Sequence, residues 1–289
     1  MANGILVIDK PPDWTSHDVV AKLRGILHEK RIGHAGTLDP MATGVLPVFV
    51  GRATRAVEYA QDREKEYIAG LRLGTVTDTQ DVTGTVLETN QVAVTRSGLE
   101  EVLERFRGDI LQIPPMYSAV KKQGKKLYEL ARKGVEVERE PRPVTIHELE
   151  LLEQVSETDW ILRVLCSKGT YVRTLCHDIG RALGCGGTLY SLRRTKAAGF
   201  TLDRAVTLEQ IAAEADPASL LLPVEAYFHR YPSLVLTEEG EERKVRNGNH
   251  LFREGPDGIY RVYGPKGDFL ALSRLERGRL VTIKSFFEV

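Results

Sequence analysis

The apolar residues of this chain come in short runs, and that spacing decides most of what it can fold into. GILVIDK (4–10), GVLPVFV (44–50), the stretch from Tyr67 to Leu73 and WILRVLC (160–166) span seven residues each. Runs of that length, bounded by turn residues, read as β-strands. None approaches the roughly 20 residues that cross a bilayer. Val82–Leu87 alternates like a further strand, with TDTQDVTG as the loop before it. Helix signals lie between the runs. Thr15 with Asp18 fits a capping box, and Val19, Val20, Leu23, Ile26 and Leu27 follow at helical spacing. Thr54 to Ala60 opens another helix. Ser97 with Glu100 reads as a second capping box, and residues 174–184 as a helix stopped by Gly184. Strands and helices mix without a strict βαβ rhythm, so the expectation is an α+β fold on a mixed, largely antiparallel sheet.

Two segments stand apart. Residues 114–145 are proline-flanked, charged and poor in apolar side chains, which marks an excursion from the core. Inside it, KKQGKKLYELARK (121–133) carries six basic residues and one acid in a chain of formal net charge zero. Such a patch favours a polyanion or forms a solvated helix face, and charge alone does not choose. The second segment begins near residue 231, after LLLPVEAYFHRYPSL, which reads as an irregular connector. Beyond it, Gly, Pro and Asp turns recur at close intervals, predicting a small β-barrel or sandwich over 231–289 beside a larger domain over 1–230.

The three cysteines, Cys166, Cys176 and Cys185, do not form a disulfide framework. Cys176, His177 and Cys185 lack the spacing of a zinc site. Reduced thiols, and an N-terminus without a basic region and long apolar run, lead to the expectation of a cytoplasmic protein.

GHAGTLDPMATGVLP (33–47) holds one residue certain to be charged at neutral pH, Asp39. Asp-Pro is a common N-cap and first-turn pair. A carboxylate among small residues also suits a nucleophile or general base, provided a cation or donors elsewhere hold its charge. The stretch matches neither a phosphate-binding P-loop nor a hydrolase elbow. Candidate partners lie in SKGTYVRTL (167–175), where Tyr171 and Arg173 share one face if the segment is a strand. Asp39, Asp78 and Asp81 leave a metal-dependent hydrolase as a rival reading.

Taken together, GHAGTLDPMATGVLP, KEYIAGLRLGTVTDTQDVTG, SKGTYVRTLCHDIG and LRRTKAAGF resemble the TruB family of tRNA pseudouridine synthases. ILVIDKPPDWTSHDVV matches too, and the resemblance runs in family order through residues 4–200. It is closer to the bacterial stand-alone type than to guide-RNA-dependent relatives. The C-terminal part is similar to a short PUA domain. The resemblance implies conversion of uridine 55 in the tRNA T loop to pseudouridine, with no cofactor and no metal. It places the nucleophile on Asp39, its paired arginine on Arg173, an orienting acid on Asp81 and the base-stacking tyrosine on Tyr67. Tyr171 packs in the same pocket, and His34 fills the space of the flipped base. The excursion (119–145) corresponds to a thumb-like insertion whose Lys121, Lys122, Lys125 and Lys126 reach phosphates. Arg193, Arg194 and Lys196 form a second basic cluster. The implied partner is tRNA, by its T arm and, through the PUA-like domain, its acceptor stem. A monomer needing no protein partner and no membrane is expected. The departures are Arg55 for a common lysine, Met41 for leucine and AAGF for the usual ending. The alternative function is an RNA-binding, tRNA-folding chaperone with or without catalysis.

Overall fold

The computed structural model describes residues 2–61, 64–122 and 124–287. The short apolar runs become strands of a nine-stranded sheet. Seven of them lie in the spatial order Gly4–Lys10, Thr43–Val50, Gly187–Ala197, Lys65–Leu73, Asp159–Cys166, Arg142–Gln154 and Gly108–Gln112. Ile32–His34 joins Thr43–Val50, and Phe200–Thr201 joins Gly187–Ala197. Every pairing is antiparallel except that of Thr43–Val50 with Gly187–Ala197, where Arg193 and Arg194 lie opposite Thr43 and Gly44. The expected α+β fold on a mixed, largely antiparallel sheet is the one that forms.

Period-two patterning builds the main core. Trp160, Leu162, Val164 and Cys166 alternate inward along one strand, Tyr67, Ala69, Leu71 and Leu73 along its neighbour. Packed with them are Val19, Val20 and Leu23 of helix Ser16–Leu27, Leu99, Val102 and Leu103 of helix Arg96–Glu104, and Val172, Leu175 and Ile179 of helix Val172–Ala182. The capping box at Thr15 and Asp18 closes on both sides. The second helix is capped by Thr95 instead of Ser97: the Thr95 hydroxyl accepts from Gly98 N at 3.1 Å, so the helix starts two residues earlier than a cap at Ser97 would set it. The helix foreseen over 174–184 runs from Val172 to Ala182, and Gly184 follows it at φ 78°.

Three expectations need correction. Val82–Leu87 is not one strand. Residues 82–84 turn, with Thr83 donating from its N and hydroxyl to the Asp81 carboxylate, and the strand that forms, Val86–Thr89, pairs with Thr75–Thr77. The segment from Thr54 to Ala60 is a 3-10 turn, Gly51–Ala56, running into the short helix Val57–Gln61. The connector before residue 231 is a packed strap: Val224–Phe228 coils as a 3-10 helix and buries Val224, Tyr227 and Phe228.

The excursion holds a small hairpin, Lys121–Lys122 with Lys125–Lys126, and a short helix, Leu127–Ala131. The C-terminal segment is a curled five-stranded sheet in the order Ser233–Val235, Gly258–Tyr263, Phe269–Glu276, Arg279–Ser285 and Leu251–Phe252. It fits a PUA-like domain and carries a helix, Glu239–Arg246, that its turn-rich sequence hid. The strap joins the two sheets. Phe228 meets Phe286 at 5.4 Å and Phe269 at 6.3 Å between ring centroids. No helix among the described residues is long and apolar enough to cross a membrane.

Candidate active site

Asp39 lies in the loop between strands Ile32–His34 and Thr43–Val50. The chain does not continue into a helix after Asp39-Pro40. Ala42 N donates back to Asp39 O at 3.0 Å, a tight turn that leads directly into the strand. Backbone and side chains pin the loop from both sides. Leu38 N donates to the buried Ser16 hydroxyl at 2.9 Å, and Asp13 N to Pro40 O at 2.9 Å. Lys10, fully buried, donates from Nζ to Pro11 O at 2.8 Å and to Pro40 O at 3.0 Å. Burial lowers this lysine to a pKa of about 8, against the pull of Asp13 and Asp39.

The side chain of Asp39 meets Arg173. Arg173 Nε lies 2.9 Å from Asp39 Oδ2, and Nη2 donates to Oδ1 at 3.2 Å. This is the two-pronged grip that a guanidinium gives a carboxylate. Arg173 is not on a strand as the sequence allowed. Tyr171 is the N-cap residue of helix Val172–Ala182 and Arg173 sits in the first turn. The helical start turns Arg173 into the core, where 5% of its side chain is exposed against 36% of Asp39. Its remaining donors are used: Nη1 on Thr79 O at 3.1 Å, Nη2 on Tyr117 O at 2.8 Å. Asp81 Oδ2 stands 3.6 Å from Nη1. Asp81 is itself held by Thr79 Oγ1 at 2.9 Å and by Thr83 N at 3.0 Å.

The electrostatics follow from this crowding. Burial pushes the Asp39 carboxyl above its ordinary pKa; the Arg173 guanidinium opposes that, and the Asp81 charge adds to it. Burial also raises the Tyr67 phenol to about 12. His34 is lowered to about 4 by burial and the nearby His17, so its ring is neutral at pH 7. Burial raises Tyr171 as well, and its backbone is clamped by Gln112: Tyr171 N donates to Oε1 at 3.0 Å.

The other candidates separate by exposure. Lys121, Lys122 and Lys125 are exposed on the hairpin; Lys126 is half-buried against Tyr128, donating to its hydroxyl at 3.2 Å. Lys122 also donates to Glu138 O. Arg193 pairs with Asp9 at 2.7 Å and keeps 43% of its side chain exposed. Arg194 does not belong to that surface cluster. It is fully buried, its Nε on Val45 O and its Nη2 on Gly36 O. Adjacent residues of a strand face opposite ways, and Arg194 is the one that faces in.

Among the described residues no group of three His, Cys, Asp or Glu side chains is placed to hold a metal ion. Asp78 turns to Thr85 N, so the three aspartates of the hydrolase reading do not gather, and Cys166, Cys176 and Cys185 are buried free thiols. Sequence reasoning missed Lys10, Ser16, Thr79 and Thr83. A lysine inside an apolar strand, and threonines flanking an aspartate, were the available signals.

Comparison with known proteins shows the family. Residues 24–172 match the model of the TruB family pseudouridylate synthase N-terminal domain, and residues 173–229 that of the tRNA pseudouridylate synthase B C-terminal domain. The chain is 47% identical over 285 residues to the tRNA pseudouridine synthase B of Azoarcus sp. (strain BH72), covering 97% of this chain and 93% of that one. It is 50% identical over 243 residues to the protein of the same name from Heliobacterium modesticaldum (strain ATCC 51547 / Ice1), covering 83% and 78%. The solved structure of a Cbf5-Nop10-Gar1 complex aligns at a TM-score of 0.73 and 28% identity, over 99% of this chain and 85% of that one. On the matches along its sequence and the agreement of its fold, the chain belongs to the TruB family of pseudouridine synthases.

Proposed function

We propose that this chain isomerises uridine 55 in the T loop of tRNA to pseudouridine, with Asp39 as nucleophile. The observation that carries the reading is a partly open carboxylate gripped by a buried guanidinium, in a chain of this family. The reaction breaks the N1–C1′ bond, turns the base and joins C5 to C1′. C5 loses a proton and N1 gains one. Arg173 keeps Asp39 ionised for attack, and Asp81 orients Arg173. Tyr67 stacks on the flipped base and takes the C5 proton, with Tyr171 packed beside it. Neutral His34 fills the gap that the flipped base leaves in the loop. Lys121, Lys122, Lys125 and Lys126 contact the phosphates of the T arm, with Arg193 as a second basic contact. The C-terminal domain, residues 231–289 and distinct from 1–230, extends the contact toward the acceptor stem. The protein acts as a monomer in the cytoplasm.

The test is single-turnover tritium release from C5-labelled uridine in a T-arm stem-loop, with chelator present. Wild type is expected to release tritium. Asp39→Asn is expected to bind the RNA and release none. Equal release from both would remove Asp39 from the chemistry, and binding without release by either would leave an RNA-folding chaperone or a different target uridine.

A further inference from the structure

Arg194 is a cation in the wrong place for RNA. It is fully buried, and no carboxylate among the described residues lies within ion-pair distance of it. An unpaired buried charge is costly, so its retention calls for a use. Two of its nitrogens are spent on main chain: Nε donates to Val45 O at 2.7 Å, Nη2 to Gly36 O at 2.9 Å. These carbonyls flank the loop that carries Asp39. The third nitrogen, Nη1, has no well-formed hydrogen bond. It lies against Gly36, where an added Cβ would come within 3.4 Å of it.

The neighbours of Arg194 single out one group. Lys10 and His34 approach it from two other strands, one a cation that repels it and the other a neutral ring. Tyr67 lies directly opposite Arg194 on the paired strand Lys65–Leu73. Around the Tyr67 phenol the other titratable groups are Cys166, from the next strand, and Asp39, and each disfavours a phenolate. Arg194, its register partner across the two strands, is the one of these groups whose charge favours it.

We propose that Arg194 is a positioning residue of the isomerisation, whose one buried guanidinium fixes the Asp39 loop and turns Nη1 to the Tyr67 phenol oxygen, stabilising the phenolate that accepts the C5 proton. The inference rests on the synthase reading above. The phenol first loses its proton to water. Once C5 is bonded to C1′, the phenolate takes the C5 proton. The C5–H electron pair becomes the C5=C6 double bond, the N1=C6 pair moves onto N1, and N1 takes a proton from water.

The experiment measures single-turnover tritium release against pH for wild type, Arg194→Gln and Arg194→Lys. Each is made with tyrosine or with 3,5-difluorotyrosine at position 67. Arg194→Gln is expected to slow release about a hundredfold while RNA affinity stays within about threefold. Its alkaline rise in rate should move to higher pH. Arg194→Lys, which keeps the charge without the fork, should lose about tenfold. The acidified phenol should restore most of either loss, and in the wild-type background it should move the alkaline rise in rate to lower pH. A loss that ignores phenol acidity, or a pH profile that does not move, would overturn the inference and leave the synthase reading standing. No release from wild type would overturn both. If Arg194→Gln does not fold, Arg194→Lys carries the same comparison.

Discussion

At the scale of single residues the site is a balance between burial and one shared arginine. Asp39 is raised by burial, so kcat/KM is expected to fall with decreasing pH through an ionisation above the ordinary carboxylate value of about 4. Arg173→Met removes the opposing cation and should move that limb to still higher pH, with a rate loss of about 10²- to 10³-fold. A pH–rate profile of the two proteins checks the sign. A limb that stays in place would mean that Arg173 does not hold the charge of Asp39. Asp39 was legible because a carboxylate without a neighbouring cation is unusual in so apolar a stretch. Arg194 was not, because LRRTK does not say which of two adjacent arginines faces in. Lys10 was hidden by its company: Asp9 and Lys10 together close an apolar strand and read as its exposed end until three backbone carbonyls are found around the lysine.

At the scale of elements the placement of Arg173 depends on how helix Val172–Ala182 seats against the sheet. Gly180 is the close point: a Cβ there would lie 2.1 Å from Gly187 N and 2.3 Å from Gly186 C. Backbone cannot give way as a side-chain tip can. Gly180→Ala is therefore expected to cost about 1–3 kcal/mol and to slow the reaction by displacing Arg173. Urea denaturation beside tritium release tests both parts. Among the caps, Thr95→Ala should cost about 1 kcal/mol and Ser97→Ala much less. The Ser97–Glu100 pairing put the cap two residues too late, because Thr95 and Ser97 are two hydroxyl residues within one turn and spacing alone does not rank them. For the basic hairpin, replacing Lys121, Lys122 and Lys125 by glutamine should weaken RNA binding and flatten its salt dependence by up to about three ions. Filter binding across a salt series measures the slope, and an unchanged slope would take the hairpin off the RNA.

At the scale of the molecule, the two sheets are fastened by more than a linker. Beside the aromatic strap, Arg55 donates to Ser285 O at 2.9 Å and Lys284 pairs with Glu58. Phe228→Ala is expected to cost about 3–5 kcal/mol, read by urea denaturation, and to loosen both sheets together. Two separate transitions in the wild-type protein would contradict that coupling. The α+β class was legible from run lengths and alternation, which are local. The strap was not, because aromatics scattered among prolines show no period until the second sheet packs against them. The spatial order of the large sheet was equally beyond a local reading. It has a consequence for the living chain. Strand Gly187–Ala197 lies between Thr43–Val50 and Lys65–Leu73, two strands made far earlier. On the ribosome, the early strands must wait with a seam open between them until more than half of the protein has emerged. The floor beneath Asp39 and Tyr67 closes only when that late strand slides in, so a nascent chain cut short of it has no site at all.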